Sequence, residues 1–387
     1  MSETFSLCHH IENIDAGQWN RLVGDHPLVR HDFLLALDQA DCATPKTGWA
    51  PHYLLLHRNG QLAAAMPLYL KSHSRGEYVF DSGWANAFAQ HGLDYYPKLL
   101  SAIPFTPVPG PRLLASNHAD RVLLARQAIE LTRQNELSSL HILFPIDSDR
   151  AALEEAGFIF RQSVQFHWSN QDYDTMERFL AGLSQQKRKK INQDRKKANQ
   201  AGVKFRWLQA EQISDDVLAF FYKCYCRTYL EHGNRPYLSF EFFNLLRERM
   251  AENMVIVLAE QHGVPIAAAL NIRGGATLYG RYWGATQFVS GLHFETCYMQ
   301  AIEFCIANRM STFEGGAQGE HKLSRGMLPV LTYSAHWIRD ARYAQAIADF
   351  LAHETPAVQG YLDELHEHSP FKNKSSPVAA LGASELP

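Results

Sequence analysis

The sequence has no hydrophobic run close to the roughly 20 residues that a membrane-spanning helix needs, so we expect no integral membrane protein. The stretch from Met1 to Ile14 lacks both a basic start and an apolar segment, so it predicts no secretory signal. Neither charge prevails, because 37 basic residues stand against 40 acidic ones. The net charge of −3 excludes a global polycation built for nucleic acid, although it is compatible with a local basic patch.

Cysteine pairs and metal-ligand motifs are also lacking. The six cysteines never form the C-x-x-C spacing of a zinc ribbon or a redox pair, and we expect thiols that stay reduced in the cytoplasm. The 19 histidines include no H-E-x-x-H pattern, so the sequence predicts no metal site. Walker A, G-x-G-x-x-G and G-x-S-x-G motifs are missing too, which disfavours nucleotidase, dehydrogenase and hydrolase functions.

An internal similarity is the main organisational feature that the sequence does contain. His52 to Leu70 and Met254 to Ile272 each read as an apolar run, a polar turn with a glycine, and a second run with three alanines. Leu62 to Met66 aligns on Ile266 to Leu270 if the second turn is one residue longer. Short runs joined by a glycine turn are typical of β-hairpins, so the pair predicts two copies of one domain.

Strands and helices alternate after each hairpin, which predicts an α/β (α+β) fold. The order in both copies is hairpin, strand, helix, strand, short helix, strand. We expect an N-terminal domain over residues 1–170 and a C-terminal domain over residues 171–353 that includes a basic helix at 183–202. The composition of residues 354–387 turns to Pro, Ser, Lys and Ala, and we expect this extension to be partly disordered.

The basic helix contains the run Gln185 to Gln200, in which seven Lys and Arg residues face a single Asp. Such a run is compatible with a plain solvated surface. It is also compatible with a site for phosphates of a nucleotide, a coenzyme or tRNA. The candidates for phosphate binding are Lys187, Arg188, Lys190 and Arg195.

The segment from Phe313 to Gly326 follows a predicted strand and is rich in glycine and charge. Glu314, Glu320 or His321 could take a proton from an amine, whereas Lys322 and Arg325 could neutralise an oxyanion or a phosphate. Glycines allow a close approach of backbone amides to a ligand. The alternative is a turn-rich connection with a charged surface.

Two further segments hold candidate ligand contacts. Arg281 to Ala285, with Trp283 and Gly284, precedes an amphipathic helix whose N-terminus could receive an anion. In the first copy, the proline-rich stretch from Leu93 to Leu113 predicts a rigid extended loop. Its Lys98 and Arg112 either point into a cleft or cap the loop.

Three segments together resemble the FemAB-like N-acyltransferase family: Trp84 to Leu114, Leu183 to Val203 and Phe313 to Ile338. The similarity covers residues 5 to 353. The resemblance implies tandem GNAT-like domains, each a mixed, mostly antiparallel sheet flanked by helices, and it implies acyl transfer. This expectation agrees with the duplicated hairpins.

The resemblance also implies roles for individual residues. Lys322 matches the lysine thought to hold or polarise substrates in the Fem peptidoglycan aminoacyltransferases. Glu314 stands where that group has Asp, His321 stands where it has Phe, and the final Phe-Gly of its motif is not kept. Arg281 to Thr286 lies where GNAT enzymes carry the coenzyme A loop R/Q-x-x-G-x-G/A, but it ends in Thr.

These observations predict an N-acyltransferase that moves an acyl or aminoacyl group from acyl-CoA or aminoacyl-tRNA to a small-molecule or peptide amine. No tightly bound cofactor is expected. The alternative is a non-catalytic GNAT-like protein that binds an anionic metabolite or RNA. The predicted catalytic residues are Glu314, His321 and Lys322, the predicted substrate contacts are Glu320, Arg325, Trp283, Lys98 and Arg112, and the predicted donor contacts are Lys187, Arg188, Lys190, Arg195, Arg281 and Gly284.

Overall fold

The computed structural model of the protein describes residues 3–317 and 319–372. The elements of the first half are β1 (Glu3–Cys8), α1 (Ala16–Val23), α2 (His31–Gln39), β2 (Trp49–Pro51), β3 (Tyr53–Arg58), β4 (Gln61–Met66), β5 (Tyr69–Lys71), α3 (Ser82–Gln90), β6 (Lys98–Ser101), β7 (Leu114–Ala115), α4 (His118–Gln134), β8 (Ser139–Leu143), α5 (Asp147–Glu155) and β9 (Ile159–Ser169).

The elements of the second half are α6 (Met176–Gly182), α7 (Gln185–Gln200), β10 (Val203–Gln209), α8 (Asp215–Glu231), α9 (Phe240–Met250), β11 (Met254–Gln261), β12 (Val264–Gly274), β13 (Thr277–Ala285), α10 (Leu292–Phe294), α11 (Gln300–Ala307), β14 (Thr312–Glu314), β15 (Leu328–Ile338) and α12 (Ala341–Glu367). A π-helical turn, Glu295–Met299, joins α10 to α11, and a 3-10 helix, Glu320–Arg325, precedes β15.

Both predicted hairpins are present, as β3–β4 and β11–β12. Their turns are Asn59-Gly60 and His262-Gly263, and all four residues have positive φ angles. Two consecutive positive φ angles define the type I′ turn, whose twist matches that of antiparallel strands. The two hairpins therefore share turn type as well as sequence pattern.

The hairpins also share a bulge, and it corrects the alignment made from the sequence. The register shifts between Leu56 and His57 in the first hairpin and between Ala259 and Glu260 in the second. Each shift lies at the same distance from its turn, so the two hairpins superpose without a gap. The extra residue predicted for the second turn was wrong, because Leu62 corresponds to Pro265 in the structure and not to Ile266, which is the bulge residue.

The two halves exchange their last strands within a mixed, mostly antiparallel sheet. That sheet has eleven strands in the order β10-β11-β12-β13-β14-β9-β15-β8-β6-β5-β2, and a second sheet has the order β1-β3-β4-β7. Strand β9 of the first half pairs with β14 of the second, and β15 of the second half pairs with β8 of the first. The predicted boundary at 170/171 thus follows β9 along the chain but does not separate two independent sheets.

Helix packing joins the halves a second time. Helix α2 of the first half contacts α9 of the second, with the rings of Phe33 and Phe242 in edge contact at 5.6 Å between centroids. The largest hydrophobic core includes residues of both halves. The two halves are therefore joined by a shared hydrophobic core as well as by the shared sheet.

Helix α12 crosses the predicted boundary at 353/354 and continues to Glu367. Its buried side chains, Ile347, Leu351, Leu362 and Leu365, recur at helical spacing on both sides of that boundary. The rest of the predicted extension, residues 373–387, lies outside the described residues. Within residues 3–317 and 319–372, no helix combines the length and the apolar character needed to cross a bilayer.

Candidate active site

The site begins where two parallel strands separate. Strands β13 and β14 pair from Thr277 with Thr312 to Tyr279 with Glu314, and the pairing ends there. The chain continues as the glycine-rich segment, Gly315–Gly326. A Cβ atom at Gly315 would lie 2.5 Å from the Met327 methyl group, so a larger residue there would have to displace the Met327 side chain.

Glu314 is the last residue of β14 and is largely buried, with its side chain 12% exposed. Its Oε2 atom has no hydrogen-bond partner among the described residues, and the nearest ring nitrogen, His167 Nε2, is 4.0 Å away. Burial raises the pKa of Glu314 to about 8, and nearby Arg281 only partly opposes that effect. The carboxyl group is therefore mostly protonated at neutral pH and becomes a strong base once ionised.

Lys322 lies on the 3-10 helix of the same segment and is 2% exposed. Its Nζ donates a hydrogen bond of 2.8 Å to the Gly316 carbonyl. Burial lowers the pKa of Lys322 to about 8, so the ammonium group remains mostly charged at neutral pH. Glu314 and Lys322 thus lie at either end of Gly315–Gly316.

His321 and Arg325 take different positions from Lys322. The exposed His321 ring has its Nε2 3.1 Å from the Tyr298 hydroxyl and packs against Phe294. Partial desolvation by its neighbours, with the charges of Lys322 and Arg325, lowers the pKa of His321, so the ring is neutral at pH 7. Arg325 donates a 2.8 Å hydrogen bond to Asp194 on α7.

The guanidinium of Arg325 also lies 4.2 Å from the centre of the Phe294 ring, and the residue is only 3% exposed. Its charge is therefore satisfied within the protein. Arg325 joins α7 to the glycine-rich segment, and this position does not support the predicted direct contact with substrate.

A cleft of about 1060 Å³ lies between the halves. Arg281, Trp283 and Gly316 line it from the second half. Arg281 reaches across to the proline-rich loop, donating to the Phe105 carbonyl at 2.8 Å and to Thr106 Oγ1 at 3.0 Å. The structure therefore brings Arg281 and Trp283 to the same cleft as the glycine-rich segment.

Lys98 is behind the wall of this cleft rather than in it. Its ammonium is fully buried and pairs with Asp81 and with Glu77, whose Oε2 is 2.9 Å away. Asp81 itself lines the cleft. The predicted direct contact of Lys98 with substrate is wrong, because its ammonium group is already paired with the carboxylates of Glu77 and Asp81.

Arg112 has a structural position. It is fully buried and donates hydrogen bonds to the carbonyls of Leu143, Val108 and Pro111. These bonds tie the proline-rich loop to β8. The predicted substrate contact at Arg112 was wrong, since all its donors point into the protein, and the alternative role in capping the loop is confirmed.

Gly284 lies within strand β13 and not in a loop before a helix. A Cβ atom there would lie 2.1 Å from the Cys224 carbonyl oxygen and 2.8 Å from Thr228 Oγ1, because α8 packs directly against the strand. The glycine is thus required by helix packing. The predicted contact with a donor phosphate was wrong.

The predicted basic helix is confirmed as α7, and its cations fall into two groups, those paired with carboxylates and those that are not. Arg195 is engaged by Glu303 at 2.7 Å and Glu295 at 3.2 Å, and Lys190 lies 3.3 Å from Asp194. Within the described part of the chain, four cations of the helix have no carboxylate partner: Lys187, Arg188, Lys189 and Lys196.

Two candidate site residues, His167 and Tyr298, were missed from the sequence. His167 lies on β9 beside Glu314, and burial lowers its pKa to about 4, so it is neutral at pH 7. The dipeptide His-Trp occurs at 167–168 and again at 336–337, once in each exchanged strand, and this repetition could have identified it. The π-helical turn with Tyr298 also lacked a sequence signal, although such turns are frequent at functional sites.

Solved structures with the same fold cover nearly the whole chain. FemX matches with a TM-score of 0.55 at 11% identity, covering 90% of this chain and 100% of its own. The C-terminal domain (DUF2156) of a protein from Agrobacterium fabrum assigned as a lysylphosphatidylglycerol synthetase matches with a TM-score of 0.55 at 10% identity, covering 87% and 95%. L-PGS from Bacillus licheniformis matches with a TM-score of 0.54 at 8% identity, covering 89% and 97%.

At such identities these similarities establish the fold alone, a mixed α/β fold shared with FemX. No curated protein sequence matches the chain. The FemAB-like family model, described as peptidoglycan biosynthesis/recognition, matches residues 10–373, and the chain therefore belongs to the FemAB-like family.

Proposed function

We propose that the protein is an N-acyltransferase that uses Glu314 as general base and Lys322 to stabilise the oxyanion. The observation that carries this proposal is the placement of two desolvated groups, each with a pKa of about 8, at either end of the Gly315–Gly316 pair. Gly316 lines the cleft between the halves. Family membership supports a transferase of this kind.

The reaction follows from these two groups. Glu314, about one tenth ionised at pH 7, takes a proton from the amine as its nitrogen attacks the donor carbonyl. A C–N bond forms, and Lys322 stabilises the negative charge on the carbonyl oxygen. The C–O or C–S bond to the leaving group then breaks, and the proton on Glu314 passes to the alcohol or thiol that departs.

We infer that the donor is aminoacyl-tRNA rather than acyl-CoA. The residues that resembled a coenzyme A loop, Arg281 to Thr286, belong mainly to strand β13, where Gly284 serves packing. Lys187, Arg188, Lys189 and Lys196 on α7 supply a longer basic surface than one pyrophosphate needs. The name of one neighbour, lysylphosphatidylglycerol synthetase, is also that of an enzyme with an aminoacylated product.

The test compares two radiolabelled donors, a mixed aminoacyl-tRNA pool and acetyl-CoA, with ethanolamine, glucosamine and a lysine-containing peptide as acceptors. We expect label in an amide product from the tRNA pool. Lys322→Met should lower turnover about 100-fold, as loss of an oxyanion donor does elsewhere, with little change in the unfolding midpoint. Lys204→Met, at an exposed position on β10, is the matched control.

Several outcomes would contradict the proposal. Equal losses of stability and turnover in Lys322→Met would remove the catalytic role of the lysine. Product from acetyl-CoA alone would reverse the choice of donor. Saturable tRNA binding without product from either donor would favour the non-catalytic alternative.

A further inference from the structure

The surroundings of the Glu314 carboxyl group are formed by the two strands on either side of β14. Glu314 pairs with His167 on β9 and with Tyr279 on β13, so these three side chains leave the same face of the sheet. Arg281, also on β13, partly opposes the rise in the pKa of Glu314. The groups that face the carboxyl group are therefore one imidazole, one phenol and one guanidinium.

Most of the neighbouring groups keep one charge state near neutral pH. Burial raises the pKa of Tyr279, so its phenol stays neutral. Burial lowers the pKa of His26, whose ring lies 5.2 Å from that of Tyr279, to about 4. Burial and the nearby Lys322 charge lower the pKa of His167 to about 4 as well. Near pH 8 the groups that titrate are thus Glu314 and Lys322.

The hydrogen bonds of Gln165 determine which nitrogen of the His167 ring carries the hydrogen. Gln165 is 2% exposed, and its Nε2 donates a 3.0 Å hydrogen bond to the Pro107 carbonyl, which can only accept. Its Oε1 therefore faces His167 Nε2, at 3.4 Å, and can itself only accept. The neutral His167 ring thus has its hydrogen on Nε2.

This Nε2–H group lies between two acceptors. Besides Gln165 Oε1, the buried Oε2 atom of Glu314 is 4.0 Å from the same nitrogen, and that oxygen has no hydrogen-bond partner among the described residues. N–H···O hydrogen bonds are about 2.7–3.2 Å long. A relative movement of about 1 Å would therefore transfer the hydrogen bond from Gln165 to Glu314.

Ionisation of Glu314 changes which acceptor is the better one. A carboxylate accepts stronger hydrogen bonds than a neutral amide oxygen does, and a donor that binds the charged form of an acid favours that form. We expect the Nε2–H group to bond Gln165 while Glu314 is protonated, and to bond Glu314 once the carboxyl group has lost its proton. The buried charge then has a partner for as long as it exists.

We propose that His167 is a positioning residue for the general base: its Nε2–H group binds Oε2 of ionised Glu314 and leaves Oε1 to take the proton of the amine. This inference rests on the proposed reaction, in which Glu314 is the base. His167 does not touch the substrate. It increases the ionised fraction of the carboxyl group that burial would otherwise keep protonated.

The test follows the titration of Glu314 in the full-length protein and needs no substrate. Glutamate labelled with carbon-13 at the side-chain carboxyl group is observed by NMR, and Glu314→Gln identifies the resonance of Glu314. We expect His167→Phe to raise the titration midpoint of Glu314 by about one pH unit, because the hydrogen bond to the charged form is lost. His167→Gln, which keeps an N–H donor, should reverse most of this shift.

Gln165→Leu should move the midpoint in the opposite direction. It removes the acceptor that competes for the Nε2–H group, so this group remains available to Glu314. A general loss of packing around the carboxyl group gives no such reversal of sign. Gln165→Leu therefore tests the proposal even if His167→Phe fails to fold.

Two controls accompany these variants. Gln162→Leu, the same change on the same strand, should leave the midpoint unchanged, because its side chain leaves the other face of β9. The shift caused by His167→Phe should persist in a Lys322→Met background, in which the lysine no longer titrates.

An unchanged midpoint in His167→Phe, or a midpoint raised by Gln165→Leu, would overturn the inference. The proposed reaction fails separately. Acyl transfer by a protein whose Glu314 titration does not respond to His167 would overturn this inference only. The expected shifts in a protein that transfers no acyl group from either donor would overturn the proposed reaction and leave the hydrogen bond from His167 to Glu314 in place.

Discussion

Replacing Glu314 by glutamine should stabilise the protein at neutral pH while abolishing transfer. Between the ordinary glutamate value of 4.5 and the folded value of about 8, the carboxyl group holds a proton in the folded state and none in the unfolded state. The contribution of this group to the free energy of unfolding is therefore fully present below pH 4.5 and is lost as the pH rises toward 8. Glutamine does not titrate, so Glu314→Gln has no such loss.

The size of the effect follows from the same pKa. At about 1.4 kcal/mol for each pH unit, the wild-type protein loses about 3 kcal/mol between pH 4.5 and pH 7 that Glu314→Gln keeps. Urea unfolding of both proteins at pH 5, 6 and 7 measures this difference, and contributions from the other groups cancel. Glu248→Gln, at an exposed position on α9, is the control and should show no comparable trend.

The result that would refute the reasoning is a difference between wild type and Glu314→Gln that does not grow with pH. A stabilised variant that kept full turnover would also refute it, because the unpaired carboxyl group would then have no catalytic purpose. A buried acid that costs stability and supports no reaction would leave its burial unexplained.

Two further predictions test the corrected positions. Gly284→Ala should lower the free energy of unfolding by at least about 2 kcal/mol, because the new methyl group meets the Cys224 carbonyl. Gly83→Ala is the control and should cause no such loss, because Gly83 has open space around it. Similar urea midpoints for the two variants would contradict the packing role of Gly284. Arg112→Met should destabilise by about 1–3 kcal/mol for each of the Leu143 and Val108 carbonyls, because both are left buried without their donor. A raised KM with unchanged stability would instead restore the substrate contact.

Local features of the fold could be predicted from the sequence, whereas the long-range pairing could not. The hairpin turns and the basic helix are set by nearby residues, and they appear where the sequence placed them. The exchange of β9 and β15 depends on pairing between strands far apart in the chain. A run of alternating residues does not specify its partner, so the sequence predicted separate domains where the strands form one sheet.

The candidate site shows the same division. The glycine-rich segment was identified because acid, base and glycine residues lie close together in the sequence, and Glu314 and Lys322 do lie at either end of Gly315–Gly316. Arg112 and Lys98 were misassigned because charge alone does not reveal a buried partner. His167 was missed because it lies beside Glu314 only when β9 pairs with β14 of the other half.

The exchanged strands also bear on which half would carry the proposed reaction. His141 on β8 faces His336 on β15 in register, as Glu314 on β14 faces His167 on β9. His141 and His336 bond to each other at 2.7 Å and are each 1% exposed, and Trp84 on α3 covers His336 with 4.8 Å between ring centroids.

After His141 the strand continues with Ile142, whereas after Glu314 the chain turns into two glycines and leaves the sheet. The first copy is therefore closed by its own side chains, and the second is opened by the absence of side chains at 315 and 316. If the proposed reaction is correct, we expect the described residues to hold one transfer site, in the second half, with the first half contributing the opposite wall of the cleft.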